Sequence, residues 1–268
     1  MKVKRILLTG DDGYNSVGTR ILVHILKNKY DLRIAATRDQ MSGVGGHISI
    51  KNGGRWGETS VDGVPAFWVD GYPADAIECI VGYFRNKFDL VISGINLGMN
   101  IGGAVVLSGT YSAAIHALNL KLADRAMALS WNCPPEFWYG KHNGDEDITR
   151  YLEYPGAAAA KIIELSIKQD LWRTDLLNIN FPSHASNLVR FTKGLPDLKR
   201  FFRYPINLDR KTRRFSYPKG EHLNEETKGE LEIDTGAMLS GFISISPHNI
   251  HNLNESVFNK LKKTEIKI

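Results

Sequence analysis

Residues 6–13 read Ile-Leu-Leu-Thr-Gly-Asp-Asp-Gly, a short apolar run that leads directly into two adjacent carboxylates and a glycine. The apolar run suits a strand in the middle of a parallel sheet. Asp11 and Asp12 then lie at its carboxyl end, where open α/β sheets bind ligands. Neighbouring carboxylates repel each other and lose hydration there, and a divalent cation would relieve both costs. The alternative is a solvated Asp-Asp-Gly turn in which one aspartate caps the next helix.

Segments typical of strands and of helices alternate along most of the chain. Short apolar runs predict strands, and apolar residues at helical spacing predict helices. The predicted strands are 3–9, 32–36, 65–69, 90–93, 126–130, 176–180 and 242–246, and the predicted helices are 17–27, 74–84, 112–120 and 151–169. This alternation indicates the α/β class, with a mostly parallel sheet and helices on both faces.

The pattern changes near residue 185, which divides the chain into three parts. Residues 1–185 predict an α/β core, in which the glycine-rich segment 41–57 forms a loop followed by a hairpin. Residues 186–235 lose the helical period and predict a β-rich arm of extended hairpins. Residues 236–268 predict a last strand and a lysine-rich C-terminal helix at 252–264, which return to the core.

Composition excludes several classes of protein. No window approaches 18 consecutive apolar residues, so we expect no membrane partner. The first residues, Met-Lys-Val-Lys-Arg, lack a signal-peptide core and a cleavage site, which favours a cytoplasmic protein. The two cysteines, Cys79 and Cys133, form neither a disulfide framework nor a Cys-x-x-Cys metal pair.

Positive charge is concentrated in the predicted arm. The chain carries a net charge of +5, which favours anionic partners in a general way. Between residues 193 and 219, nine lysines and arginines stand against two aspartates, with phenylalanine and tyrosine interleaved. Such a pattern fits nucleic-acid binding. A solvated hairpin that packs on another subunit explains it equally well, and we favour this second interpretation because a better-defined anion site lies elsewhere in the chain.

That anion site is predicted by a second glycine-rich turn. Residues 89–102 read Asp-Leu-Val-Ile-Ser-Gly-Ile-Asn-Leu-Gly-Met-Asn-Ile-Gly, and 107–114 read Leu-Ser-Gly-Thr-Tyr-Ser-Ala-Ala. Asn96 and Asn100 follow a buried strand. Residues 108–110 precede a helix whose free backbone N–H groups and dipole attract anions. The alternative is that the asparagines are turn residues and the Ser and Thr are ordinary helix caps.

These motifs resemble those of the SurE family of stationary-phase survival proteins, which are metal-dependent nucleotidases. The resemblance rests on 7–13, Met-Ser-Gly at 41–43, 91–102, 108–114 and Gly-Phe-Ile-Ser-Ile-Ser-Pro at 241–247. Their order and spacing cover nearly the whole chain. The resemblance implies a Rossmann-like core, a hairpin arm and a C-terminal element exchanged between subunits in a dimer or tetramer. It also implies hydrolysis of nucleoside 5′- or 3′-monophosphates.

The resemblance further implies one divalent cation per subunit, held by Asp11, Asp12, Ser42 and Asn96. All these donors are oxygen atoms, which suits Mg²⁺ or Mn²⁺ and argues against a dedicated zinc site. We therefore expect Asp11 to act in catalysis through the cation.

Substrate contacts follow from the second group of motifs. Asn100, Ser108 and Thr110 are expected to position the phosphate, helped by the backbone of Gly109 and Thr110. Asn100 is thus expected to serve both binding and catalysis. A protonated group near the leaving oxygen would help further, and His248 is the candidate general acid. The alternative for His248 is an ordinary hydrogen-bonded histidine.

The chain departs from the family pattern at four positions. Gly10 replaces an asparagine, Gly103 stands where acidic residues are usual, and Leu107 replaces a tyrosine. Asn249 stands where a histidine is usual, so a one-residue adjustment is needed for His248 to take that role. These departures leave two alternatives open: a catalytically impaired protein that binds nucleotides or phosphate, or an acid phosphatase of broader range.

Overall fold

The computed structural model describes residues 2–84, 87–169, 173–194, 206–217, 225–249, 259–260 and 262–263. The strands are β1 Arg5–Thr9, β2 Asp31–Thr37, β3 Trp56–Val61, β4 Val64–Val69, β5 Leu90–Leu97, β6 Ala126–Trp131, β7 Leu176–Phe181, β8 Val189–Phe191, β9 Asn207–Asp209, β10 Arg214–Ser216 and β11 Ile243–His248. The α-helices are α1 Val17–Leu26, α2 Pro73–Tyr83, α3 Gly109–Asn119, α4 Thr149–Tyr151, α5 Ala157–Gln169 and α6 Asp234–Leu239.

Nine of these strands form one sheet in the order β3-β4-β2-β1-β5-β6-β7-β11-β8. The six strands from β4 to β7 in this order are parallel, and β3 and β11 run antiparallel to their neighbours β4 and β7. The sequence-based prediction of an α/β fold with a mostly parallel sheet is confirmed.

Strand β1 lies in the middle of the sheet because its side chains are apolar on both faces. Ile6 and Leu8 pack with residues of α1 and α5 in one core cluster. Leu7 packs with residues of α2 and α3 in a second cluster on the opposite face. Helices therefore cover both faces of the sheet. The carboxyl end of β1 lies at the side of the sheet where the parallel strands end, which is called the carboxyl edge below.

Three predicted elements differ from those in the structure. The single helix predicted at 151–169 is interrupted, because Tyr154 has extended backbone angles and Pro155 follows it. Proline disfavours the helical conformation of the residue before it, so a regular helix begins only at Ala157. The predicted strand at 90–93 continues to Leu97, with an irregular register between Ser93 and Asn96. The predicted hairpin lies later than 41–57, since β3 pairs with β4.

The predicted arm is divided between two locations. Strand β8 falls within 186–235 but joins the edge of the central sheet, parallel to β11. Strands β9 and β10 form a separate antiparallel hairpin. Most of the predicted C-terminal helix at 252–264 lies outside the described residues. Within the described residues, no helix is long and apolar enough to cross a membrane.

Candidate metal and phosphate site

Two buried carboxylates lie at the carboxyl end of β1. Asp11 and Asp12 are 3% and 6% exposed. The Thr110 hydroxyl donates a hydrogen bond to Asp11 Oδ1 and lies 3.0 Å from Asn96 Oδ1. The backbone N–H of Leu97 donates to Asp12 Oδ2 at 2.7 Å. Because β1 and β5 are adjacent and parallel, residues far apart in sequence meet at one edge of the sheet.

The environment of the two carboxylates opposes their ionisation. Burial raises the pKa of Asp11, although the Thr110 hydroxyl and the backbone N–H groups of Gly109 and Thr110 oppose this rise. Burial and the charge of Asp11 together raise the pKa of Asp12 to about 8. A cation bound between the two carboxylates would remove the repulsion and favour their ionised forms.

The residues at this edge fit a hard divalent cation. Oxygen atoms of Asp11, Asn96 and Thr110 converge, and a single hydroxyl proton can satisfy only one of the two acceptors that face it. The described residues contain no group of three His, Cys, Asp or Glu side chains that could hold a metal ion. The candidate ligand set therefore combines two carboxylates with neutral oxygen donors, which suits Mg²⁺ or Mn²⁺.

Ser42 lies beside this group but does not contact it. The backbone N–H of Met41 donates to the backbone oxygen of Asp11 at 2.6 Å, which holds the loop against β1. The Ser42 side chain is exposed, and its hydroxyl accepts a hydrogen bond from Gln40. The structure thus brings the backbone at Ser42 close to Asp11, and the role of this residue as a metal ligand stays a prediction.

The first turn of α3 faces the same carboxylates. Ser108 caps the helix, since its hydroxyl accepts from the backbone N–H of Tyr111 at 3.0 Å. Gly109 permits a close approach, because a Cβ atom there would lie 2.8 Å from Asp11 Oδ2. The predicted cation site and the predicted anion site are therefore contiguous.

Asn100 has a different environment from the one we expected. Its side-chain amide donates to Ser130 Oγ at 2.8 Å, and its backbone N–H donates to Asn180 Oδ1 at 2.8 Å. Its backbone oxygen accepts from the side chains of Asn178 and Asn180. The buried contacts of Asn100 therefore fasten the glycine-rich loop to the ends of β6 and β7. Direct contact between Asn100 and substrate stays a prediction.

Four anchoring residues were missed by the sequence analysis. Ser130, Asn178 and Asn180 hold Asn100, and the fully buried Asp234 accepts a hydrogen bond from the backbone N–H of Gly102 at 2.9 Å. The signal for two of them is present in the sequence. Asn178 and Asn180 alternate with apolar residues in a strand that is otherwise entirely apolar, and a buried polar pair in a strand needs partners.

The structure places His248 away from the end of β1, and its role as the general acid stays a prediction. Strand β11 runs antiparallel to β7 and pairs His248 with Leu176, at the amino end of β7. His248 thus lies toward the amino ends of the parallel strands, whereas Asp11 follows the carboxyl end of β1. Across the sheet, four strand spacings of about 4.8 Å each separate β1 from β11.

His248 instead belongs to a buried hydrogen-bonded pair. Its Nδ1 atom shares a hydrogen bond with the hydroxyl of Tyr111, in the first turn of α3. Burial lowers the pKa of His248 to about 4, so the ring is neutral near pH 7. The pair ties the end of β11 to the helix that carries Thr110.

Known proteins resemble this chain over nearly its whole length. The family model described as "Survival protein SurE" matches residues 6–197. Two proteins named 5′-nucleotidase SurE, from Deinococcus radiodurans and Thermoanaerobacter sp. (strain X514), are 32% and 28% identical to this chain. These matches cover 91% and 98% of this chain, and 86% and 99% of the relatives.

A solved structure supports the same fold. The crystal structure of the SurE protein from Aquifex aeolicus superimposes with a TM-score of 0.72 and 24% identity, covering 96% of this chain and 98% of that one. The family model extends over more than half of the chain, and the sequence resemblance is thereby confirmed. The chain belongs to the SurE family.

Proposed function

We propose that this protein is a metal-dependent phosphomonoesterase that hydrolyses nucleoside 5′- or 3′-monophosphates to nucleoside and phosphate. The observation that supports the proposal is the contact between Asp11 and the first turn of α3, because it joins a carboxylate pair to an anion-binding helix end. Family members named 5′-nucleotidase provide the substrate class.

The proposed cofactor is one Mg²⁺ or Mn²⁺ ion per subunit, held by Asp11, Asp12 and Asn96, with Ser42 as a further candidate ligand. Such an ion lowers the pKa of water and neutralises charge on phosphoryl oxygens. Asp12 is oriented for this role by its hydrogen bond from Leu97, and Asp11 by Thr110.

The remaining residues would position the phosphate. The backbone N–H groups of Gly109 and Thr110 lie at the start of α3, where the helix dipole favours negative charge. The Thr110 hydroxyl lies on the same side, where it donates to Asp11. The start of α3 is held in place, because Ser108 caps the helix and Tyr111 is anchored to His248. A helix start that is held in this way would stabilise negative charge on the transferring phosphoryl group.

A second candidate function is nucleotide binding without turnover. One observation favours it: His248, the expected general acid, lies at the other edge of the sheet. The departures at Gly10, Gly103, Leu107 and Asn249 point in the same direction. A nucleotide-binding protein of this kind would retain the cation site and the α3 anion site.

Phosphate release decides between the two functions. We would measure it from nucleoside 5′- and 3′-monophosphates with Mg²⁺ or Mn²⁺, for the intact protein and for Asp11→Asn and Asp12→Asn. The proposal requires release that depends on metal and falls at least about a hundredfold in both variants. Asp31→Asn, an exposed change at the amino end of β2, is the matched control and should leave release unchanged.

Each alternative has a distinct outcome in that experiment. Folded, metal-binding protein that binds nucleotides and releases no phosphate would establish the binding function and refute the nucleotidase. Equal release from nucleotides and from unrelated phosphate esters, including short polyphosphate, would indicate a phosphatase of broader range.

We also propose that the protein is a homo-oligomer, a dimer or tetramer, in the cytoplasm. Strand β8 is exposed along its length at the sheet edge, and the β9–β10 hairpin exposes Leu208, Phe215 and Tyr217. Exposed strand edges and apolar side chains favour association. Both cysteines are free thiols, which suits a reducing compartment. We expect neither a membrane nor a nucleic acid as partner.

A further inference from the structure

Two large aliphatic side chains are exposed next to the candidate site. The short 3₁₀ helix Gly102–Leu107 leads into α3, and its last two residues, Val106 and Leu107, are 67% and 62% exposed. Single exposed apolar residues need no explanation, but a pair beside a ligand site suggests a contact with that ligand. Leu107 directly precedes Ser108, the cap of the helix whose first turn faces Asp11.

A third aliphatic side chain connects this pair to the carboxylates. Val44 lies against α3, since a Cβ atom at Gly109 would be 3.1 Å from Val44 Cγ2 and 2.8 Å from Asp11 Oδ2. The loop carrying Val44 is fixed to the 3₁₀ helix, because the backbone N–H of Gly45 donates to the backbone oxygen of Leu107 at 2.9 Å. The loop that carries Val44 is thus held beside Val106 and Leu107, and these three residues are here called the aliphatic ledge.

We propose that the aliphatic ledge binds the nucleoside part of the substrate. The inference rests on the proposed function, which places the phosphate at the first turn of α3. A phosphomonoester bound there must direct its organic group away from the buried carboxylates, and the ledge offers exposed apolar side chains next to the first turn of α3. Burying the faces of a base and a ribose on the ledge removes apolar area from water.

The chemistry of the ledge limits what it can distinguish. Its side chains carry no polar atoms, so they form no hydrogen bonds with the edges of a base. The ledge therefore favours a large organic group over a small one, and adenine and guanine make equivalent contacts with it. Discrimination without hydrogen bonds is modest, since a missing apolar contact costs about tenfold in affinity.

Non-hydrolysable probes test the ledge independently of turnover. We would measure the dissociation constants of a nucleoside 5′-phosphonate and of methylphosphonate in the presence of Mn²⁺, for the intact protein, Leu107→Ala and Leu107→Phe. The alanine variant should bind the nucleoside phosphonate about tenfold more weakly. The phenylalanine variant should bind it about threefold more tightly, because its ring offers more apolar area. Methylphosphonate should bind all three proteins within about twofold, since it does not reach the ledge.

Val81→Ala is the matched control, because Val81 is an exposed aliphatic residue near the end of α2, at the opposite edge of the sheet. It should change neither dissociation constant. Equal effects of Leu107→Ala on both probes, or no effect on either, would refute the proposal. If sedimentation showed that Leu107→Ala changes the oligomeric state, the proposal would also be refuted, because the ledge would then be a subunit contact. Ledge-dependent binding without hydrolysis of nucleotides would refute only the proposed hydrolysis.

Discussion

Asp11 and Asp12 carry the main electrostatic cost of the site. They are buried next to each other, and this burial raises the pKa of both. Each hydrogen bond they accept is directed from a neighbouring element, Thr110 of α3 for Asp11 and Leu97 of β5 for Asp12. Such an arrangement is unfavourable for the free protein, and the proposed cation would make it favourable, which would link stability to cation binding at these residues.

Asp12→Asn should separate the effect of this carboxylate on stability from its effect on cation binding. The pKa of Asp12 is about 8 in the folded protein and 3.8 in the unfolded chain, so the folded state binds more protons between these values. The free energy of unfolding of the metal-free protein should therefore decrease as the pH rises from about 4 to about 8. The Asp12→Asn variant should not show this decrease in the free energy of unfolding. Near pH 8 and in the presence of chelator, it should therefore be more stable than the intact protein.

Thermal unfolding with chelator and with Mn²⁺ checks this prediction. Mn²⁺ at a hundredfold excess over its dissociation constant should stabilise the intact protein by about 2.7 kcal/mol, and more at pH 8 than at pH 6 because protons compete with the metal. The variant should gain much less. An equal gain in both proteins would contradict the assignment of Asp12 as a ligand.

At the scale of elements, the site depends on how closely α1 packs on β5. A Cβ atom at Gly18 of α1 would lie 1.8 Å from the backbone oxygen of Ile95, the residue before Asn96. Only glycine permits this approach. The same strand end carries the backbone N–H of Leu97 that binds Asp12, so the packing of a helix on the opposite face from α3 sets the position of two site groups.

Gly18→Ala should accordingly destabilise the fold and weaken the site. We expect a loss of about 3 kcal/mol in the free energy of unfolding, because a backbone carbonyl must move. Gly82→Ala in α2 is the matched control, since a Cβ atom there meets nothing within 4 Å. It should stabilise the protein by about 0.5 kcal/mol through helix propensity. Urea unfolding measures both changes, and equal effects of the two substitutions would contradict the packing argument.

At the scale of the whole molecule, the described surface divides into two regions with different chemistry. The carboxyl edge of the sheet holds the buried carboxylates and the aliphatic ledge. The second region consists of β8, which is the outer strand at one end of the nine-stranded sheet, and of the β9–β10 hairpin, which forms a separate sheet. The exposed apolar residues of β8 and the hairpin are the surfaces on which the proposed association between subunits would depend.

Leu208→Ser combined with Phe215→Ser should reduce the oligomeric state. Both side chains are more than half exposed on the hairpin, and replacing them removes apolar area that a partner subunit would bury. Sedimentation velocity should show a smaller species than for the intact protein. Ile50→Ser, at another exposed apolar residue, is the control and should leave the distribution unchanged. An unchanged distribution in the double variant would contradict the role of the hairpin.

Nucleic-acid binding by the basic arm would give a different result. It predicts an affinity for DNA or RNA that falls steeply with salt concentration and is lost when Arg210, Arg213 and Arg214 are neutralised. We expect no such binding, because the aromatic and aliphatic side chains of the hairpin suit a subunit contact.

Local patterns in the sequence determined the α/β class and the central strand that leads into Asp11 and Asp12. They also predicted the helix that follows Ser108, although at 112–120 and not from Gly109. Side-chain periodicity and helix capping depend on near neighbours, so these features could be predicted. Only the tertiary structure decided where His248 lies, because the direction of β11 is set by a long connection. The same holds for Asn100, whose partners Asn178 and Asn180 are 78 and 80 residues away in the chain. Contacts at such separations depend on the packing of the whole sheet, which no local pattern encodes.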